Sequence, residues 1–387
     1  MLRKPKQALP TELRSLVSQR PPDRPAAPTM PAFAVQPGTL RPNNFQIQVS
    51  AGLDTWLQQQ NACFAFTTYQ TGQVIVIGRK ADQSLQYTVR TYEHAMGLAA
   101  KGNELHLATL YQVWHFVNRS ALGAPTDEHY DAVYVPRSSH VTGEMKIHDV
   151  VAEDSGRLLF VNTAYGCIGE LVPGYSFRPF WKPGWITELV PEDRCHLNGL
   201  GLRDGKARYI TAVSRANEKD GWRKVRTNGG VLWDIQSDQP VLEGLSMPHS
   251  PRWHNGHIWF INSGSGYLCR VNPETHVKEE VAFIPGFSRG LALIGDYALV
   301  GTSEQRQNRI FSDLELDKNL ASRGLVPRCA IHIINTATGQ IEHQVTLSGD
   351  LKEIYDICIF PNMRMANVIG FLNDDVKGMI DIAPPIG

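Results

Sequence analysis

Four histidines recur in similar settings along the chain, and their residue type points to metal chemistry. Each stands shortly before an apolar run, a turn that contains glycine and a second run that ends in Thr, Asn or Ser. They are His94, His148, His196 and His249, separated by 54, 48 and 53 residues. Neutral imidazole is a good ligand for Fe, Zn and Cu, and a catalytic metal keeps one position open for water or substrate. If folding brings these side chains together, they predict a site for a divalent transition metal.

The length of the repeat predicts the elements that would position these histidines. A unit of about 50 residues is too long for a helical solenoid and close to a four-stranded propeller blade. In a β-propeller the innermost strand of every blade begins at one mouth of the central channel, so residues that repeat at this start converge on the axis. We therefore predict an all-β protein, a single β-propeller whose channel mouth gathers the four imidazoles.

Six hairpins share this repeating character, and they predict six blades. They cover residues 96–109, 149–163, 197–211, 250–263, 289–302 and, as the weakest match, 356–372. Three apolar strand candidates precede them, at residues 63–68, 73–78 and 85–89. This first group is typical of a blade that takes its innermost strand from the other end of the chain. Seven blades are the alternative, if the segment before Cys63 supplies its own inner strand. Residues 118–147 and 303–328 are interpreted as loops over one face.

Three charged residues at or beside the repeat position are candidate catalytic groups. Asp149, next to His148, could orient an imidazole as a hydrogen-bond acceptor. Arg289 and Asp356 stand where the earlier repeats have histidine; the arginine could bind a substrate carboxylate and the acid could transfer a proton. The alternatives are that Asp149 caps a turn and that Arg289 forms an ion pair between blades with either acid.

Three further residues are candidates for substrate binding. Asn198 opens an inner strand, and Trp222 with Arg223 lies in a loop-rich stretch where the ring could stack on a ligand at the rim. Arg252, by contrast, is interpreted as blade packing. The alternative for the histidines themselves is structural, with each ring donating an N–H to a neighbouring backbone carbonyl.

Composition excludes several classes of partner and cofactor. Lys+Arg and Asp+Glu both number 38, so no overall charge favours nucleic acid or acidic lipid. No apolar stretch approaches the roughly 20 residues that span a bilayer. P-loop and Rossmann motifs are absent, so no nucleotide cofactor is predicted. The six cysteines are scattered without a CxxC pair, which is typical of reduced thiols in a cytoplasmic protein.

The first 44 residues differ in composition from the rest. They carry seven Lys/Arg, two Asp/Glu and nine prolines, too little apolar surface to fold independently. We therefore predict a disordered Pro/Arg-rich tail over residues 1–44 and a propeller domain over residues 45–387.

Several longer strings resemble a known family. Residues 191–199 (Pro-Glu-Asp-Arg-Cys-His-Leu-Asn-Gly), 247–254 and 285–290 are similar to a bacterial family designated domain of unknown function 4915. The resemblance extends from about residue 67 to about residue 339, and it implies a propeller-like β protein without implying a reaction. A weaker similarity to gluconolactonase-like six-bladed propellers rests on Asn198-Gly199, but the other acids of that family's cation site are not evident.

Together these features lead to a hypothesis with one alternative. The hypothesis is a cytoplasmic, metal-dependent oxidoreductase or lyase that acts on a small molecule or a modified peptide at the channel mouth. The metal would be Fe, Zn or Cu. The alternative is a non-catalytic propeller that binds a partner protein through its rim loops and uses the histidines structurally.

Overall fold

Strands are the main regular secondary structure in the described part of the chain. The computed structural model describes residues 44–122, 128–304, 313–372 and 374–385, and the predicted tail up to residue 43 lies outside this range. Numbered in chain order, the strands of the first half are β1 (Phe45–Val49), β2 (Ala62–Thr68), β3 (Gln73–Arg79), β4 (Leu85–Thr91), β5 (Leu98–Lys101), β6 (Glu104–Ala108), β7 (Gln112–Asn118), β8 (Ala132–Val141), β9 (Ile147–Ala152), β10 (Leu158–Asn162), β11 (Cys167–Glu170), β12 (Arg178–Trp181) and β13 (Leu197–Arg203). Those of the second half are β14 (Lys206–Ala212), β15 (Gly230–Asp234), β16 (Gln239–Leu245), β17 (Pro248–His254), β18 (His257–Asn262), β19 (Tyr267–Val271), β20 (Lys278–Phe283), β21 (Phe287–Ile294), β22 (Tyr297–Ser303), β23 (Ala330–Asn335), β24 (Ile341–Gly349), β25 (Ile357–Pro361) and β26 (Ala366–Val368). The α-helices are α1 (Leu53–Gln60) and α2 (Glu315–Arg323).

These strands form six sheets, and each sheet is one blade of a propeller. From the channel outward, blade I is β25-β2-β3-β4, blade II is β5-β6-β7-β8-β26, blade III is β9 to β12, blade IV is β13 to β16, blade V is β17 to β20, and blade VI is β21-β22-β23-β24-β1. Each innermost strand contacts the innermost strands of the two neighbouring blades, and β25 of blade I contacts both β21 and β5. The described strands therefore close a six-bladed ring, which confirms the predicted propeller and its preferred blade number.

Strands from both ends of the described chain close the ring. The apolar strands β2, β3 and β4 receive their innermost strand from β25, with Phe64 opposite Ile359 and Phe66 opposite Ile357. This pairing confirms the predicted blade that lacks its own inner strand. At the other edge, β1 pairs with β24 and adds a fifth strand to blade VI.

Five of the six predicted hairpins are present, and the sixth is wrong. The strand β25 is the inner strand of blade I, and β2 already pairs with its outer edge. The segment after β25 therefore cannot fold back to pair with β25 as a hairpin. It crosses instead to blade II, where β26 pairs in parallel with β8. The two long segments predicted to be loops also contain regular structure, namely β8 in the first and α2 in the second.

The core lies between blades, since each blade is covered on both faces by its neighbours. Every residue of β2 and β3 is buried, which explains their continuous apolar character. Between blades I and VI, Phe64 and Ile75 pack with Ile331 and Ile333, and the buried residues of α1 join this cluster. The apolar packing leaves the channel as the place where polar side chains from all six blades meet.

No helix in the described ranges is both long enough and apolar enough to cross a membrane.

Candidate functional site

The predicted histidines lie at or just before the start of innermost strands. His148 and His249 are the second residues of β9 and β17, His196 directly precedes β13, and His94 precedes β5 by four positions. His94 and His196 adopt the left-handed backbone conformation, with φ of 50° and 51°. Such angles are costly for residues other than glycine and concentrate at functional sites. We call this end of the channel, with its imidazoles, the mouth.

His148 and His196 form the centre of the mouth. Their ring centroids lie 5.0 Å apart at an interplanar angle of 81°. The Nδ1 of His148 lies 2.7 Å from the carbonyl oxygen of Lys146 and 2.7 Å from the hydroxyl of Thr163. Because that hydroxyl donates to the carbonyl of Leu197, Nδ1 of His148 carries the proton and donates to both oxygens. The lone pair of His148 is therefore on Nε2.

Asp193 holds the second imidazole in the same tautomer. The Nδ1 of His196 lies 2.8 and 3.1 Å from the two carboxylate oxygens of Asp193 and donates to them, so in the neutral ring Nε2 carries the lone pair. Burial is the largest influence on Asp193 and raises its pKa, but His196 and Lys146 together lower the pKa to about 2. A carboxylate that orients an imidazole in this way is the arrangement found behind metal-bound histidines. Asp193 was not predicted, although it stands three residues before His196 in the chain.

His249 and His94 contribute imidazoles with unsatisfied nitrogens. His249 is 3% exposed, and its buried Nε2 has no hydrogen-bond partner. Its pKa lies well below the usual value because of burial first and then of Arg289, His148 and His196, so these groups are electrostatic neighbours. His94 has a buried Nδ1 without a partner and packs on Tyr69 at 4.8 Å. Tyr69 contacts Tyr355, which in turn contacts His148. These two tyrosines join His94 to the mouth and were not predicted.

Arg289 faces aromatic rings. Its guanidinium lies 5.1 Å from the ring centre of Tyr355 and 5.9 Å from that of Phe287, and Tyr355 also hydrogen-bonds to it. Its Nε is buried without a partner, and burial lowers the pKa of the group. Among the described residues no carboxylate forms an ion pair with Arg289, so the alternative of an ion pair with Asp149 or Asp356 is wrong.

The residue that pairs with Asp149 and Asp356 is Arg252, not Arg289. It lies 2.8 and 3.2 Å from the two oxygens of Asp149 and 3.8 Å from Asp356, and it also donates to the carbonyls of Leu200 and Leu291. The interpretation of Arg252 as blade packing is therefore wrong, because the side chain reaches inward and joins four innermost strands or their starts. Burial and Asp149 raise the pKa of Asp356 to about 7, although Arg252 acts in the opposite direction.

Asp149 and Asp356 also fasten neighbouring innermost strands. Asp149 accepts hydrogen bonds from its own neighbour Val150 and from Leu200 of blade IV. Asp356 accepts in the same way from Ile357 and from Leu98 of blade II. The two acids predicted to be catalytic thus have all four oxygens engaged by backbone amides. Next to Arg252, the innermost strands line a cavity of about 410 Å³ whose surface is both polar and apolar.

The three predicted substrate-binding residues lie around His196. Trp222 is 3% exposed, and its ring packs on His196 with the centroids 4.3 Å apart. The prediction that this ring stacks on a ligand at the rim is therefore corrected: the ring supports the imidazole of His196. The guanidinium of Arg223 lies 4.5 Å from the ring centre of Trp222 and donates to Asp220. Asn198 donates to the carbonyl of Pro248, while its buried Oδ1 has no partner.

A second cluster, in blade II, was not predicted. Glu104, His106 and His115 form a group that could hold a metal ion, because their ligand atoms all lie within 4.8 Å of one another. No other such group of three occurs in the described part of the chain, and the mouth histidines are more widely spaced. Burial first, and then His115, lower the pKa of His106 to about 4. The sequence signal is a Glu-x-His on one strand with a histidine nine residues later on the next.

Comparisons with known proteins identify a family and a fold. The profile of the family described as "Domain of unknown function (DUF4915)" matches residues 51–369. Among curated proteins there is no match. A chain in the crystal structure of a nidogen/laminin complex is similar with a TM-score of 0.51 and 9% identity, over 78% of this chain and 99% of that chain. A virginiamycin B lyase from Staphylococcus aureus reaches a TM-score of 0.39 at 9% identity, over 79% and 99% of the two chains. At these identities the likeness concerns the fold alone.

Proposed function

The chain belongs to the DUF4915 family, whose description names no activity, and we propose from the site itself that this protein is a metal-dependent enzyme. The mouth histidines His148, His196, His249 and His94 hold a divalent transition metal, either Fe, Zn or Cu. The substrate is a small molecule or a modified peptide that carries an anionic group, and the reaction is an oxidation or an elimination.

One observation carries the proposal: two neighbouring imidazoles are both held in the tautomer that a metal ligand requires. Oxygen acceptors bind Nδ1 of His148 and Nδ1 of His196, and Nε2 of each ring makes no hydrogen bond among the described residues. A histidine that only caps a blade edge needs one hydrogen bond to its ring. That role does not explain why two such rings lie 5.0 Å apart with the Nε2 lone pair of each unused. His249 and His94 each have a buried nitrogen without a hydrogen-bond partner, and we take these two nitrogens as the further ligands.

A metal held by imidazoles supplies a Lewis acid and, for iron or copper, a redox centre. The protein's own groups do the rest. Asp193 and Thr163 fix the rings of His196 and His148, and the buried tryptophan behind His196 limits its rotation. Arg289, free of carboxylate partners in the described ranges, binds the anionic group of the substrate. Tyr355 lies between Arg289 and His148, within reach of both, and orients the bound molecule.

Location is part of the same proposal. The six cysteines are all unpaired and buried, which supports a reducing, cytoplasmic environment.

The test measures metal in protein purified without an affinity tag. We expect bound Fe, Zn or Cu in the wild type, and its loss from the mouth in a His148→Ala/His249→Ala variant with unchanged circular dichroism. His257→Ala is the control, because His257 lies at the turn between β17 and β18, outside both histidine clusters. Metal content that is the same in the double variant as in the control would overturn the proposal and favour a non-catalytic propeller with structural histidines.

A further inference from the structure

The cluster of Glu104, His106 and His115 lies apart from the mouth. The mouth histidine His94 precedes β5, whereas Glu104 follows it, at the turn that leads into β6. His106 and His115 are direct partners in the pairing of β6 with β7. Because side chains alternate along a strand, Glu104 and His106 share one face, and His115 stands on the same face across the pair. The three side chains therefore converge on one face of blade II, over its second and third strands.

Their distances approach those of a metal site. One carboxylate oxygen of Glu104 lies 3.5 Å from Nε2 of His106, and the other lies 3.7 Å from Nε2 of His115. Ligands bound to zinc at about 2.0 to 2.1 Å in tetrahedral geometry are roughly 3.3 Å apart. Each carboxylate oxygen of Glu104 is thus within a few tenths of an ångström of the bound separation from one ring nitrogen. The two rings are stacked, with centroids 5.0 Å apart and an interplanar angle of 14°, so one ring must rotate before both nitrogens can bind a single ion.

Burial leaves ring nitrogens of this cluster without partners. The side chain of His106 is 8% exposed, and its Nδ1 has no hydrogen bond. Nε2 of His115 is likewise buried and has no hydrogen-bond partner. A buried polar atom without a partner costs free energy, which a cation bound at Nε2 of His115 would recover.

The site is nevertheless accessible. The Glu104 side chain is 55% exposed and that of His115 is 32% exposed, so a cation can enter from solvent and keep water in its remaining positions. Two imidazoles and one carboxylate suit zinc or ferrous iron, whereas calcium and magnesium require mostly oxygen ligands.

We propose that Glu104, His106 and His115 form a second metal site, which binds one divalent first-row transition ion and links β6 to β7. This site is independent of the proposed mouth metal, because it shares no residue with the mouth. Its occupant ties two strands of blade II together and raises the stability of the propeller in proportion to the logarithm of the metal concentration.

The experiment titrates Co²⁺ and Zn²⁺ into full-length protein stripped of metal. In the His148→Ala/His249→Ala background we expect one Zn²⁺ per chain and visible Co²⁺ absorption bands. Adding His115→Ala abolishes both signals, while adding His257→Ala leaves them unchanged. Glu104→Gln replaces an exposed side chain and lowers the affinity for Co²⁺ and Zn²⁺. The loss exceeds the roughly 10- to 100-fold seen when a residue that only contacts a metal ligand is replaced.

The two proposals fail in different ways. If His115→Ala and Glu104→Gln bind Co²⁺ as tightly as their background, the blade II site does not exist, whatever the mouth variants show. If metal is lost on His115→Ala but not on His148→Ala/His249→Ala, the blade II site stands and the mouth proposal falls. Should His115→Ala fail to fold, Glu104→Gln alone decides.

Discussion

Arg252 lies 2.8 Å from Oδ2 of Asp149, although 103 residues separate the two in the chain. The contact crosses the channel from blade V to blade III, and Asp356 of blade I stands 3.8 Å from the same guanidinium. One cation thus neutralises charge from acids that also fasten their neighbouring innermost strands. The propeller axis is held by an ion pair as well as by apolar packing.

We predict that Arg252→Met destabilises the protein by about 3 to 5 kcal/mol, because it leaves two buried acids without their cation. Urea denaturation of the full chain measures this. Arg270→Met is the matched control, since its partner Glu279 is solvent-accessible and such pairs contribute about 0 to 1 kcal/mol. Equal effects of the two substitutions would show that the axial pair has no special role.

Arg289→Met should have the opposite effect. Arg289 is half-buried among aromatic rings and has no acid partner among the described residues, so its removal relieves a partly desolvated charge. We expect the free energy of unfolding to rise by about 0.5 to 2 kcal/mol, as is common when a ligand-binding group is replaced. The measurement is again urea denaturation, without ligand. A loss of stability comparable to that of Arg252→Met would mean that Arg289 is structural.

Asp193→Asn tests the orientation of His196. Asparagine tolerates the left-handed backbone found at this position, where φ is 49°, and keeps an oxygen acceptor, but it removes the charge. We expect the mouth affinity for Zn²⁺ to fall about 10- to 100-fold, as for other outer partners of metal-bound histidines. Competition with a chromophoric chelator measures this affinity, with the His115→Ala variant used throughout so that only the mouth is observed.

His332 should make the fold sensitive to mild acid. It is 1% exposed, Gln344 donates to its Nδ1, and burial lowers its pKa from 6.5 to about 4. A folded-state pKa below the unfolded one means that the stabilisation is complete above pH 6.5 and is lost as pH falls from 6.5 towards 4. The loss amounts to about 3 kcal/mol. Free energies of unfolding measured at several pH values should therefore decline less steeply below pH 6.5 in His332→Gln than in the wild type. Parallel curves would contradict the assignment.

The repeat predicted much of the architecture, because the start of an innermost strand is a local pattern. Hairpin length, the Thr or Ser that ends each hairpin, and the missing inner strand of blade I were all readable from the chain. The path of the segment after β25 could not be predicted, because it depends on β2 already pairing with the outer edge of β25. The helix α2 was missed for a related reason: its buried residues, Leu316 and Leu320, are few and pack on loops.

The site was predictable only in part. Position along the repeat placed His148, His196, His249 and Arg289 at one mouth, where they are electrostatic neighbours. Which side chains form ion pairs and hydrogen bonds with one another was not predictable, since this depends on which side chain crosses the channel. Arg252 rather than Arg289 reaches the two acids, and Asp193 rather than Asp149 holds an imidazole.

Closure by β25 has a consequence for synthesis in the cell. The amide of Asp356 donates to the hydroxyl of Thr67 across 289 residues, and β2, which contains Thr67, is buried along its whole length. At roughly 5 to 20 residues per second, a ribosome needs about 15 to 60 s to make that intervening chain. During this interval the edge of β2 that later pairs with β25 has no partner, so we expect the yield of folded protein to rise with chaperones that shield such edges.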